Sequence, residues 1–117
     1  MKKMEMAVRS KIWVEIFGLP ILGPGRHDLL RVIDEQGSIS KAARLLAITY
    51  RKAWGQVKLM EEQMGLPLVF KVTGGAGGGG ARLTPEAREL LAKYDRLIAG
   101  IQEQVNERFQ EIFFGKR

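Results

Sequence analysis

Residues 37–64 read GSISKAARLLAITYRKAWGQVKLMEEQM, and their spacing decides the fold. Ser38 stands where a helix N-cap belongs. The segment after it places Ala42, Ala43, Leu45 and Leu46 along a short helix, with small residues where a second helix can approach closely. That helix ends near Ala47. Thr49 then caps a longer helix in which Trp54, Val57, Met60 and Met64 recur at spacings of three and four, while Arg51, Lys52, Gln56 and Lys58 fall elsewhere. The longer helix therefore has an apolar back and a basic front. Only Ala47 to Thr49 separate the two helices, the short turn of a helix-turn-helix, whose second helix projects into a major groove.

Outward from this pair, Arg9 to Phe17 alternates with period two and reads as a strand, and Gly18 to Gly25 (GLPILGPG) reads as a connection. The run RHDLLRVIDEQG gives a helix that stops at Gly37. Beyond Gly65, LPLVFKVT reads as a strand, GGAGGGG as a loop and ARLT as a returning strand: a hairpin with a glycine tip. Thr84 and Pro85 then open a helix that could run to Phe114, ~45 Å at 1.5 Å per residue, more than a three-helix domain can cover. Leu91, Ile98, Val105 and Ile112 recur every seven residues, with Ala87, Tyr94 and Ile101 completing an a/d seam that Arg108 breaks and Gly100 weakens. The expected fold is mainly α with a small β-hairpin wing: a winged helix-turn-helix over residues 1–84 and a long dimerisation helix over 85–117. Leu91, Tyr94, Ile98, Ile101, Val105, Phe109 and Ile112 are the expected dimer contacts.

Composition agrees. The 117 residues include no cysteine and one histidine, which excludes disulfides, thiolate zinc sites and multi-histidine metal sites. No apolar run approaches a membrane span and the start lacks a signal-peptide core, so a cytoplasmic protein is expected. The net charge of +6 is concentrated in the middle third of the chain, where a nucleic-acid footprint would lie. Tyr50, Arg51, Lys52 and Gln56 are placed to reach base edges. Ser38 and Ser40 lie at a helix N-terminus suited to phosphate. Thr49, Lys41, Arg44, Lys58, Lys71 and Arg82, with Gly77 and Gly78 at the wing tip, extend the contact to the DNA backbone. Gly55 inside a helix costs ~1 kcal/mol against Ala and implies close approach of a neighbouring helix or of DNA.

Enzymatic readings fail on geometry. Gly75-x-Gly77-x-x-Gly80 matches a dinucleotide fingerprint formally, yet extended sequence and a proline follow where a helix must open. Glu61 and Glu62, like Asp34 and Glu35, are adjacent and point different ways on a helix. His27 reads as a surface or capping residue. No enzyme, cofactor or metal is expected.

The combination GSISKAARLLAITYRKAW and PLVFKVTGGAGGGGARLT, within about Lys11 to Tyr94, resembles the N-terminal DNA-binding domain of the ModE-type molybdate-responsive transcriptional regulators, a winged-helix family related in fold to the LysR type. The resemblance implies that Ser38–Ala47 and Thr49–Met64 form the helix-turn-helix, Lys71–Thr84 the wing, and the final helix a subunit joint. Ala47 stands where that family has Gly. The family's molybdate-binding domains lie C-terminal to this region, and this chain ends at Arg117, so molybdate sensing is not carried over. The expected function is a homodimeric, sequence-specific regulator binding an inverted-repeat operator on double-stranded DNA. A winged-helix adaptor binding an acidic protein is the alternative, and a separate sensory subunit is the other candidate partner for the long helix.

Overall fold

In the computed structural model, which describes residues 5–75 and 78–115, the elements run β1 (Val14–Ile16), β2 (Leu19–Leu22), α1 (Pro24–Gln36), α2 (Ile39–Leu45), α3 (Tyr50–Met64), β3 (Val69–Gly75), β4 (Gly78–Leu83), α4 (Pro85–Ile98) and α5 (Ile101–Phe114). Local chemistry sets the boundaries. The hydroxyls of Ser38, Thr49 and Thr84 accept from the backbone N–H of Lys41, Lys52 and Ala87, each three residues on. Gly37 and Gly65 close α1 and α3 in the left-handed conformation. Ala47 also lies there, at φ 57, so the helix-turn-helix corner carries the strain that a glycine would avoid.

The main core joins α1, α2 and α3 through Leu29, Leu30, Ile33, Ile39, Ala42, Ala43, Ala53, Val57 and Met60, and it is closed by Leu68 and Leu83 from the wing and Ala87 from α4. Thr84 completes the closure. Its hydroxyl donates to the Pro67 carbonyl (2.9 Å) and its N–H to that of Leu68 (3.0 Å).

The N-terminal region departs from expectation. The strand over Arg9 to Phe17 shortens to three residues, and the Gly/Pro-rich segment expected to be a connection supplies its antiparallel partner, with Glu15 opposite Pro20 and Ile16 opposite Leu19. Phe17 and Gly18 turn between the strands with φ 52 and 80, the pair of positive values that a two-residue hairpin needs. Pro20 is tolerated because a two-stranded ribbon has only edges. This hairpin buries Ile21 and Leu22 with Tyr94, and Val14, Ile16, Met64, Leu90 and Ile98 pack around them. The Tyr94 hydroxyl donates to the Ile12 carbonyl at 2.7 Å. Burial, then Asp28 and Asp95, push this phenol above the ordinary tyrosine range, which keeps it a donor. His27 is an inter-helix tie instead of a surface or capping group: its Nε2 pairs with Asp95 of α4 at 2.8 Å and its ring lies 5.1 Å from that of Tyr94.

The expected single helix from Pro85 to Phe114 is two helices of 14 residues. Ala99 is extended and Gly100 is left-handed at φ 79, a conformation glycine adopts without steric cost, so the chain turns there and the heptad seam is not one continuous stripe. α5 buries no residue. The radius of gyration of 18.1 Å exceeds the ~13 Å of a compact chain of this length, with a longest extent of 60 Å.

The wing is held at one backbone contact. Ala81 N–H donates to the Gly37 carbonyl at 2.9 Å, and a Cβ on Gly80 would stand 2.8 Å from that same oxygen. Backbone meets backbone there, so no side chain can move aside. Gly80→Ala should cost about 1–3 kcal/mol and swing the hairpin away from the α1–α2 corner. Chemical denaturation measures the loss, and unchanged stability would mean that the contact is dispensable.

Candidate nucleic-acid interface

α3 turns Ala53, Val57 and Met60 into the core. At 3.6 residues per turn the opposite ridge is Arg51, Gly55, Leu59 and Glu62, all four exposed, so the ridge carries a cation near its N-terminal end and a carboxylate near its C-terminal end. Two shoulders flank this ridge. Lys52 and Gln56 lie toward the N-terminal hairpin, where with Lys11, Trp13, Pro20, Leu46 and Ile48 they line a groove of about 540 Å³. Tyr50, Trp54 and Lys58 lie toward the wing. Of the four residues expected to reach base edges, Arg51 is therefore on the crest, Tyr50, Lys52 and Gln56 are on its flanks, and only Gln56 is half-buried.

On the wing side, Tyr50 shares a cleft of about 180 Å³ with Ser38, Ser40, Lys71, Thr73 and Gly80. Groups far apart in sequence converge there from the start of α2, the start of α3 and the wing. Ser38 commits its hydroxyl to the cap and is half-buried, whereas Ser40 and Lys41 face solvent. Thr49 likewise serves as a cap. Arg44 and Arg82 are exposed. Gly78 opens β4, and Gly77 lies outside the described residues. The segment after the glycines is strand β4 and not a helix, which removes the dinucleotide fingerprint.

Two features escape any reading by periodicity. Trp54, expected as core, is half-buried and packs on the main core, while the Lys58 and Lys71 ammoniums stand 5.1 and 5.0 Å from its ring centroid. The indole face thus gathers one cation from α3 and one from the wing. Glu61 fixes the wing's root: one carboxylate oxygen accepts from Leu68 N–H (2.8 Å) and Val69 N–H (3.1 Å), and the other lies 3.5 Å from Lys58 Nζ. An acid-rich stretch of sequence could not disclose that this carboxylate is spent on backbone donors.

The residues expected to join subunits divide. Leu91 packs on the main core, and Tyr94 and Ile98 belong to the hairpin cluster of their own chain. Burial of Tyr94 within its own chain corrects its assignment to a helix–helix seam. Ile101, Val105 and Phe109 are half-buried on α5, and Ile112 is 75% exposed. Phe109 meets Phe113 and Phe114 at ring separations of 4.7 and 5.6 Å.

Among the described residues no group of three acidic or histidine side chains is placed to hold a metal, and no helix is long and apolar enough to cross a membrane. Comparison with known proteins agrees with this geometry. The sequence pattern of the bacterial regulatory helix-turn-helix proteins of the lysR family matches residues 27–88. The molybdenum-pterin-binding protein MopB of Rhodobacter capsulatus is 41% identical over 80 residues, 68% of this chain and 30% of that protein. The DNA-binding transcriptional dual regulator ModE of Escherichia coli K12 is 42% identical over 81 residues, 69% of this chain and 30% of its own length. The chain thus spans about a third of the length of the curated relatives it matches. In three dimensions it is similar to the BenM DNA-binding domain in complex with catB site 1 DNA, with a TM-score of 0.56 and 21% identity over 74% of this chain and 91% of that one. Full-length CbnR in complex with its target DNA gives a TM-score of 0.57 at 16% identity, over 74% of this chain and 28% of CbnR.

Proposed function

The chain belongs to the lysR family of bacterial regulatory helix-turn-helix proteins, and from that membership we propose that it is a ModE-like, DNA-binding transcriptional regulator that works in the cytoplasm as a homodimer on an inverted-repeat operator. The observation that carries this reading is the outward face of α3, where Arg51 stands on the crest between Lys52 and Lys58, with the wing's Lys71 beside them. Relatives named as transcriptional regulators, and neighbours solved on DNA, support the same partner.

Each part has a physical task. The crest of α3 enters the major groove, where Arg51 donates to a guanine edge. Lys52 and Gln56 read or brace on one side. Lys58 and Lys71, gathered on Trp54, meet phosphates on the other, and Ser40, Lys41 and Arg82 continue that backbone contact. The wing, whose strand β4 opens at Gly78, runs along the adjacent groove. α5 offers its apolar face to a second copy, so that two recognition helices meet half-sites ~34 Å apart or a multiple of that.

Titration of labelled duplex DNA over a range of salt concentrations tests the reading. Affinity should fall steeply as salt rises, with a log–log slope of roughly −0.9 for each phosphate neutralised. Random-sequence competitor should displace the protein from its operator only at large excess. Absence of any salt-dependent duplex binding would exclude the function and leave an adaptor for an acidic protein.

A further inference from the structure

Gly55 sits in the interior of α3, where glycine is the poorest helix former apart from proline. Several other glycines have internal reasons: Gly37 and Gly65 are left-handed caps, Gly80 faces the Gly37 carbonyl, and a Cβ on Gly23 would press on that of Trp13 at 3.1 Å; Gly25, which meets nothing either, lies in the first turn of α1 and not in a helix interior. Gly55 has none. Its φ is not in the left-handed region, and a Cβ built there meets nothing within 4 Å. Neither backbone conformation nor a neighbouring helix requires it.

Its position shows what the missing side chain leaves open. Gly55 is exposed on the crest of α3, one turn after Arg51. A side chain on a helix leans over the turn N-terminal to its own Cα, so a long side chain here would extend toward Arg51 and Lys52, while even a methyl group would begin to fill the open space beside them. Glycine leaves a notch beside the one arginine on the reading face. We propose that Gly55 is a specificity-determining position that sets how deeply α3 seats in the major groove: a base-pair edge enters the notch, and Arg51 reaches the neighbouring base. The inference rests on the DNA-binding reading above and adds a residue that contributes through its lack of a side chain.

The proposal gives opposite signs in two measurements. Gly55→Ala and Gly55→Leu both restore helix propensity, so each should raise Tm by about 4 °C. At the operator selected by the wild-type protein, Gly55→Leu should bind at least about thirtyfold more weakly and Gly55→Ala several-fold more weakly. Affinity for random duplex, which is governed by phosphates, should stay within about threefold. Arg51→Ala should cost less in the Gly55→Leu background than in the wild type, because the two positions share one seat. Operator affinity unchanged at higher Tm would overturn the proposal, as would an equal loss on operator and random DNA, or a fall in Tm. A wild-type protein with no preferred site would instead sink the DNA-reading function itself.

Discussion

Replacing Val105 and Phe109 with aspartate should convert the protein to a monomer and weaken operator binding by about two to four orders of magnitude. α5 carries these residues one turn apart, with Ile112 close to the same line, and it buries no residue in its own chain. A face with Ile112 75% exposed and Phe113 45% exposed invites association. Two carboxylates placed in such an interface would lack partners, at a cost on the order of 3 kcal/mol or more. DNA affinity falls with it, because linking two binding modules adds about 10²- to 10⁴-fold to the affinity of either. Both substitutions spare the fold, since neither residue belongs to a buried cluster. Ile98 is unsuitable for this test because it packs against Tyr94 and the N-terminal hairpin. Sedimentation of the wild type and the double variant measures the effect. A wild-type monomer at micromolar concentration would contradict the homodimer and leave α5 to a different partner.

Arg51→Ala should cost about 1–3 kcal/mol at the preferred site and erase discrimination at one base pair in each half-site. Arg51 is exposed on the crest of α3, away from Ala53, Val57 and Met60, so its removal leaves the core intact. Lys58→Ala and Lys71→Ala should act differently, weakening all duplexes alike and reducing the salt slope by about 0.9 for each phosphate that is no longer neutralised. Binding to a panel of single-base operator variants separates the two classes. Should Arg51→Ala lower all affinities uniformly, this side chain contacts phosphate and not bases.

Much of this arrangement is legible in the sequence because it depends on local chemistry. Ser38, Thr49 and Thr84 are caps wherever they precede an amphipathic run, and the spacing of Val57 and Met60 fixes which side of α3 faces the core. The partner of β1 is hidden because Leu19–Leu22 lies among glycines and prolines, and only the positive φ of both Phe17 and Gly18 makes it a hairpin. The break at Gly100 is legible as a weakness but not as a turn. Heptad spacing likewise cannot show that Tyr94 is captured by the hairpin of its own chain. Proximity between distant segments is out of reach: Trp54 gathering Lys58 and Lys71, Glu61 holding the wing's root, and Gly80 against Gly37 each join segments that only the fold brings together.

The measurement that bears most directly on the function is selection of bound sequences from a random duplex pool at near-physiological salt, repeated with Arg51→Ala. Enrichment of an inverted repeat with half-sites about one helical turn apart or a multiple of that, and relaxation of one position per half-site in the variant, is the result expected of a dimer reading through α3. Recovery of a pool no different from the input would contradict it.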